Sequence, residues 1–156
     1  MTFVSQNLKE SPYSKVKAYA FRRLSAQSYH SEQLAKLLSK KQADDKTIKC
    51  VIEECKRLGL INDDVWVKNF IQSQKRKNSF KIIISKLLLK GLHPETVKEI
   101  INREKPDDET ETIQLLLNTR YKSKNLSDYN QRQKVKASLL RKGFNFEQIN
   151  IVFRNN

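Results

Sequence analysis

The chain is predicted to be all-α, an elongated array of three three-helix repeats with about nine helices. Three observations predict it. Only three Gly and three Pro stand among 156 residues, against 38% apolar and 31% charged residues, so long stretches can stay helical and turn residues are too few for a strand-rich fold. Apolar residues recur at helical spacing, i, i+3 and i+4. That pattern repeats three times at a nearly constant period, the mark of a repeat architecture.

The three copies are Leu34-Ala-Lys-Leu-Leu-Ser-Lys-Lys41 with Ile48-Lys-Cys-Val-Ile52, Ile83-Ile-Ser-Lys-Leu-Leu-Leu-Lys90 with Val97-Lys-Glu-Ile-Ile101, and Val135-Lys-Ala-Ser-Leu-Leu-Arg-Lys142 with Ile149-Asn-Ile-Val-Phe153. With Lys41, Lys90 and Lys142 as anchors, apolar residues fall seven and three positions before and seven, ten and eleven after. The spacing describes two amphipathic helices joined by a tight turn. Gly91-Leu92 and Gly143-Phe144 supply that turn in two copies, Gly ending a helix in the left-handed conformation and the apolar residue folding back on it. Gln42-Ala43 stands there in the first copy, so its turn is expected to differ.

The helices follow in order. Residues 1–12 are polar and are expected to be loosely ordered. A first helix spans about 14–27. Ser31 caps a second over 31–41, Asp44 a third over 45–58, and Asn62 or Asp63 a fourth over 63–77. The fifth, over 79–91, carries Phe80, Ile83, Ile84, Leu87 and Leu88 on one stripe, with Lys81, Ser85, Lys86 and Lys90 turned away. Ile82 and Leu89 fall on its polar side and are expected to pack against the adjacent unit, the alternative being an apolar contact surface for a partner. Pro94 sits in the first turn of the sixth, over 94–103. Asp108 with Glu111 resembles a capping box for the seventh, over 108–122. Asp128 caps the eighth, over 128–142, and Asn145 with Gln148 resembles a box for the ninth, over 145–154. Residues 13–61, 62–106 and 107–156 then form the three units, stacked as a short solenoid. The interruption of apolar periodicity by Pro106 and Asp107-Asp108-Glu109 makes Asn102 to Glu111 the predicted linker, a point of flexing.

Charge points to a partner. With 31 Lys and Arg over 17 Asp and Glu, the chain carries +14, well beyond what solubility needs, and attracts polyanions at long range. Nucleic acid, or a protein coated with it, is the leading candidate. From Val65 to Pro94 there is no acidic residue against seven cations, and from Thr112 onward only Asp128 and Glu147 oppose nine. Acids gather in 44–64 and 95–111. The densest basic run, Lys75-Arg76-Lys77 before Asn78-Ser79, lies between two helices, where backbone amides can add to side-chain charge in holding a phosphate or carboxylate. Trp66, Phe70, Phe80, Phe144, Phe146 and Phe153 mostly fit buried helical positions, so a base-stacking platform finds only weak support and core is the better reading.

Catalysis finds little support. No GxxxxGK[ST], GxGxxG, HExxH or GxSxG occurs. His30 and His93 precede Ser31 and Pro94 and read as helix-start residues. Cys50 and Cys55, five apart on one helix, sit about 8 Å apart on different faces, too far for a disulfide. Neither has zinc-ligand spacing, so they are expected to be reduced thiols in the cytoplasm. No signal-like segment opens the chain, and no apolar run approaches membrane-spanning length. Neither metal nor cofactor is implied.

Ala18-Tyr-Ala-Phe-Arg-Arg-Leu24, His30-Ser-Glu-Gln-Leu34, Val51-Ile-Glu-Glu, Leu58-Gly-Leu-Ile-Asn-Asp63, Leu87-Leu-Leu-Lys-Gly91 and Leu140-Arg-Lys-Gly-Phe144, in that order, resemble the bacterial RecX regulatory family over residues 14–155. The family's HS-x-x-L helix start is matched by His30, Ser31 and Leu34, and its G-x-(I/L)-(N/D)-D turn by Gly59, Ile61, Asn62 and Asp63. Gln27 stands where Arg is usual, Trp66 replaces a usual Phe, and Ser79 stands where Gly is common. The resemblance implies a cytoplasmic bacterial protein that lies in the groove of a RecA filament on single-stranded DNA. There it would restrain ATP hydrolysis, strand exchange and co-protease activity, and so bear on homologous recombination, DNA repair and the SOS response. The residues expected to face that partner are Lys75, Arg76, Lys77, Lys81, Lys86, Lys134, Lys136, Arg141 and Lys142. The chain is expected to act as a monomer, without a membrane and with direct nucleic-acid contact possible. The alternative is a DNA- or RNA-binding helical repeat with no recombinase partner; a basic adaptor for an acidic protein is a third reading.

Overall fold

The structure, a computed structural model, describes residues 11–156. Among these it contains nine α-helices and no strand, bearing out the all-α expectation. They are α1 (Pro12–Ala26), α2 (Ser31–Ser39), α3 (Asp45–Arg57), α4 (Asp63–Gln74), α5 (Phe80–Leu89), α6 (Pro94–Glu104), α7 (Thr110–Asn118), α8 (Tyr129–Arg141) and α9 (Phe146–Arg154). The expected looseness of residues 1–12 falls, for 1–10, outside the described residues. Ser11 and Pro12 are ordered: the Ser14 amide donates to Ser11 Oγ at 3.2 Å and Pro12 opens α1.

The caps are in part different residues. His30, not Ser31, caps α2, its Nδ1 accepting from the Gln33 amide at 3.3 Å. His93 does the same for α6, accepting from Glu95 N–H. Asp44, Asn62, Asp128 and Asn145 cap as expected. Before α7, Asp108 accepts from both the amide and the hydroxyl of Thr110. This helix is the main disagreement in length, ending at Asn118 rather than 122. Thr119 turns its hydroxyl back onto Leu115 O at 2.7 Å, a local bond that competes with the helical ladder. Tyr121 then folds inward, buried, with its hydroxyl 2.6 Å from Ser138 Oγ.

Contacts divide the chain into two compact units, the first ending at Trp66 and the second starting at Val67, within α4. In the first, α1 and α2 pack on α3 around Ala20, Tyr29, Leu34, Leu38, Val51 and Cys55. The start of α4 is tied to the start of α2, since Asp63 accepts from the Ser31 amide at 2.7 Å and also from the Ser31 hydroxyl. Both cysteines are free thiols. Cys55 is buried, and burial raises its thiol above the ordinary value.

In the second unit α5 packs on α6, and α7 and α8 pack on α9 around Ile113, Leu116, Val135, Leu139, Ile149 and Phe153. The stripe of α5 buries Phe80, Ile83 and Leu87, each contributing about 1.5–3 kcal/mol. The two off-stripe residues behave differently from each other. Ile82 is half-buried, within 2.7 Å of where a side chain on Gly143 would begin, whereas Leu89 is 87% exposed. Phe146 is likewise 60% exposed rather than core.

The turn of the first repeat does not differ in kind. Gln42 takes φ 57°, the same left-handed conformation as Gly91 (89°) and Gly143 (83°). The predicted linker is shorter than 102–111: α6 runs through Glu104, leaving residues 105–109 between it and α7. Nor is its end loose, for Glu109 Oε1 accepts from the Phe80 amide at 2.7 Å. The α5 N-terminus at the basic junction thus holds a carboxylate supplied by the chain itself.

Candidate polyanion-binding surface

All nine sequence-predicted site residues lie in the second unit. The turn after α4 carries three of them. Its shape comes from backbone bonds of Lys75 to Ile71 O and of Lys77 and Asn78 to Gln74 O, then from Ser79, whose Oγ caps α5. Ser79 N–H donates to Lys142 O at 3.1 Å, and Lys142 Nζ returns a bond to Lys77 O at 3.1 Å. Two bonds between main chain and residue 142 therefore clamp the basic turn to the C-cap of α8.

The clamp splits the basic triplet. Arg76 and Lys77 line a hollow of 390 Å³ with Lys142, Arg120, Thr119 and the floor residues Leu115 and Leu116; none of these is acidic. Lys75 lines a different hollow of 240 Å³, whose wall includes Glu104, Asp108 and Glu109. Lys86 donates to Gln74 Oε1 at 2.8 Å. Burial first, then the charges of Arg120 and Lys86, lower the Lys142 ammonium below its ordinary value. Like charges are held together here without a carboxylate to offset them.

The other candidates are apart from this hollow. Lys81 is exposed and lines a hollow of 560 Å³ with Ile84, Lys105, Glu109 and Phe144. Lys134 and Arg141 are exposed on α8, seven residues apart and so on one face about 10 Å from each other. Lys136 is half-buried, donating to Asn150 Oδ1 at 2.8 Å with its ammonium 5.2 Å from the Phe153 ring centre. Arg132 lies over the same ring at 5.3 Å and donates to Phe153 O. Burial, then Arg132 and Arg154, lower the Lys136 ammonium.

Of the nine expected residues the structure thus brings Arg76, Lys77 and Lys142 to one hollow and Lys75 to another, and it adds Arg120, which the sequence reading did not include. Arg120 lies in the turn just past α7, two residues beyond Asn118. Glu109 was also missed as an anion seated on α5. Its carboxyl is raised above the ordinary value, by burial first and by the charge of Asp108, with the Phe80 hydrogen bond acting the other way. Among the described residues no group of acids, His or Cys could hold a metal ion, and no helix is long and apolar enough to cross a membrane.

Residues 107–153 match the family described as RecX, third three-helix domain. The chain is 27% identical over 154 residues to the regulatory protein RecX of Clostridium perfringens (strain SM101 / Type A), covering 97% of this chain and 73% of that protein. It is 26% identical over 136 residues to the regulatory protein RecX of Legionella pneumophila (strain Corby), covering 86% and 90%. The crystal structure of RecX from Lactobacillus salivarius shares its fold, with a TM-score of 0.68 at 23% identity over 92% of this chain and 95% of that one. The resemblance read from the ordered motifs is borne out by all three comparisons.

Proposed function

We propose that this RecX-like chain is a non-enzymatic cytoplasmic regulator that binds, as a monomer, to a RecA filament on single-stranded DNA and restrains its ATP hydrolysis, strand exchange and co-protease activity. The relatives named RecX support a regulatory role. The observation that carries the partner class is the acid-free hollow where Arg76, Lys77, Arg120 and Lys142 converge in a chain of charge +14. Such a cluster lowers the free energy of an approaching polyanion, and several modest cationic contacts along a repeating polymer add through multivalency.

The test is RecA ATP hydrolysis on single strands with and without the protein. The reading expects a dose-dependent fall in rate, weakened when Lys75, Arg76 and Lys77 are all changed to Glu while helicity by circular dichroism is kept. An unchanged ATPase rate with the wild-type protein refutes it. The second reading, a direct nucleic-acid-binding repeat, is favoured by the same acid-free hollow. Tight binding to bare DNA with a steep salt slope, together with indifference to added RecA, would replace the first reading by this one.

A further inference from the structure

We infer that the hollow between the α4–α5 turn, the end of α7 and the C-cap of α8 is a seat for a backbone phosphate of nucleic acid, with Arg120 as its principal ligand. This deepens the filament reading by assigning the hollow to the DNA rather than to the recombinase. Four cations, Arg76, Lys77, Arg120 and Lys142, border one concavity of 390 Å³, and no acidic side chain lines it. Lys142 is already fixed by its bond to Lys77 O, so the concavity keeps its shape without an anion inside it. Burial, then the charges of Arg120 and Lys86, lower the Lys142 ammonium below its ordinary value, and a phosphate beside these cations offsets their mutual repulsion.

Arg120 differs from the lysines in chemistry. Its guanidinium presents a rigid planar fork of donors that matches two phosphate oxygens at once, while lysine acts as a point charge. The floor is apolar, with Leu116 buried and Leu115 39% exposed, a surface on which the sugar next to a phosphate can rest. Apart from the hollow, α8, which Lys142 caps, carries two further exposed cations, Arg141 and Lys134. Regularly spaced phosphates of one strand can engage such cations together. A short acidic peptide segment offers charge at one place only.

The basic triplet therefore divides by partner: Arg76 and Lys77 face the seat, and Lys75 faces Glu104, Asp108 and Glu109. The experiment uses the full chain and a fluorescein-labelled oligothymidylate, with binding followed by anisotropy over a range of salt concentrations. Arg120→Gln is expected to weaken binding about tenfold and to reduce the salt slope by about 0.7, the value for one phosphate contact on a single strand. Arg120→Lys, which keeps charge but not the fork, should fall between, and it carries the test if the Gln variant does not fold. Lys98→Gln, on the exposed face of α6, is the control for loss of one positive charge, and Lys75→Gln should cost less than Arg76→Gln.

An Arg120→Gln effect no larger than that of Lys98→Gln overturns the assignment. So does displacement of the oligothymidylate by poly-glutamate as readily as by unlabelled oligothymidylate of equal charge, since the surface would then serve an acidic protein. RecA ATPase assays in parallel keep the two proposals apart. Loss of DNA affinity in Arg120→Gln with an ATPase rate indifferent to the wild-type protein supports the seat and refutes the filament reading. Inhibition by the wild type with DNA affinity unchanged in the variant does the reverse.

Discussion

Replacing Gly143 by Ala is expected to destabilise the second unit far more than the same change at Gly91, although both glycines have positive φ, 83° and 89°. Each substitution forces an L side chain into the left-handed region, at about 1–2 kcal/mol. Around Gly91 a new Cβ meets nothing within 4 Å, so that is the whole cost. At Gly143 the new Cβ would overlap Ser79 Oγ and stand 2.7 Å from Ile82 Cγ1. Ser79 is fully buried and holds Lys142 O through its backbone amide, so it cannot simply step aside. Overpacking of this kind costs about 1–3 kcal/mol more, bringing Gly143→Ala to about 2–5 kcal/mol. Urea unfolding followed by circular dichroism, with the midpoint and the m-value fitted separately, measures the difference. If the two variants lie within about 0.5 kcal/mol of each other, α5 does not sit on the α8–α9 turn as described and the clamp that shapes the cationic hollow fails with it.

Further outcomes are expected at three residues. Glu109→Ala removes the acceptor for the Phe80 amide and should cost about 0.5–2 kcal/mol, whereas Glu109→Gln keeps an acceptor without a buried charge and should match or exceed the wild type at neutral pH in the same urea assay. The sign for pH follows from the raised carboxyl of Glu109: its relative stabilisation is present below the ordinary carboxyl value and lost as pH rises through the raised one, so unfolding midpoints between about pH 4 and 7 should fall less steeply for Glu109→Gln. Asp63→Ala unpairs the amide and hydroxyl of Ser31 and should cost about 1.5–3 kcal/mol, read by calorimetry as a lower melting temperature. Gln42→Gly releases a non-glycine residue from φ 57° and should raise stability by about 1 kcal/mol; a loss in thermal unfolding would contradict the turn geometry.

The start of α5 beside the basic run was legible because Ser79 and the apolar stripe after it specify it locally. The basic run 75–77 was expected to close the fourth helix at its junction with the fifth, but α4 ends at Gln74 and the run forms the turn before Ser79. What it faces was not legible: consecutive residues in a turn point in different directions, so Lys75 and Arg76 entered different hollows. Arg120 was overlooked because its significance depends on Lys142, twenty-two residues away in sequence. The repeat comparison suggested that Gln42-Ala43 would turn differently from Gly91-Leu92, but the helix pair on either side imposed the left-handed conformation on Gln42 all the same. There tertiary packing outweighed the about 1–2 kcal/mol that a left-handed non-glycine costs.

By itself the amino-acid order determined the nine helices of the described residues and roughly where each starts and stops, because apolar spacing, capping side chains and glycine turns act within a few residues of one another. It also set the sign and size of the charge, which needs no geometry. Only the tertiary structure decided which cations share a cavity, that Glu109 occupies the N-terminus of α5, and that α7 stops early so that Tyr121 can reach Ser138. These depend on groups far apart in the chain, and the free energy of bringing them together is a property of the packed whole.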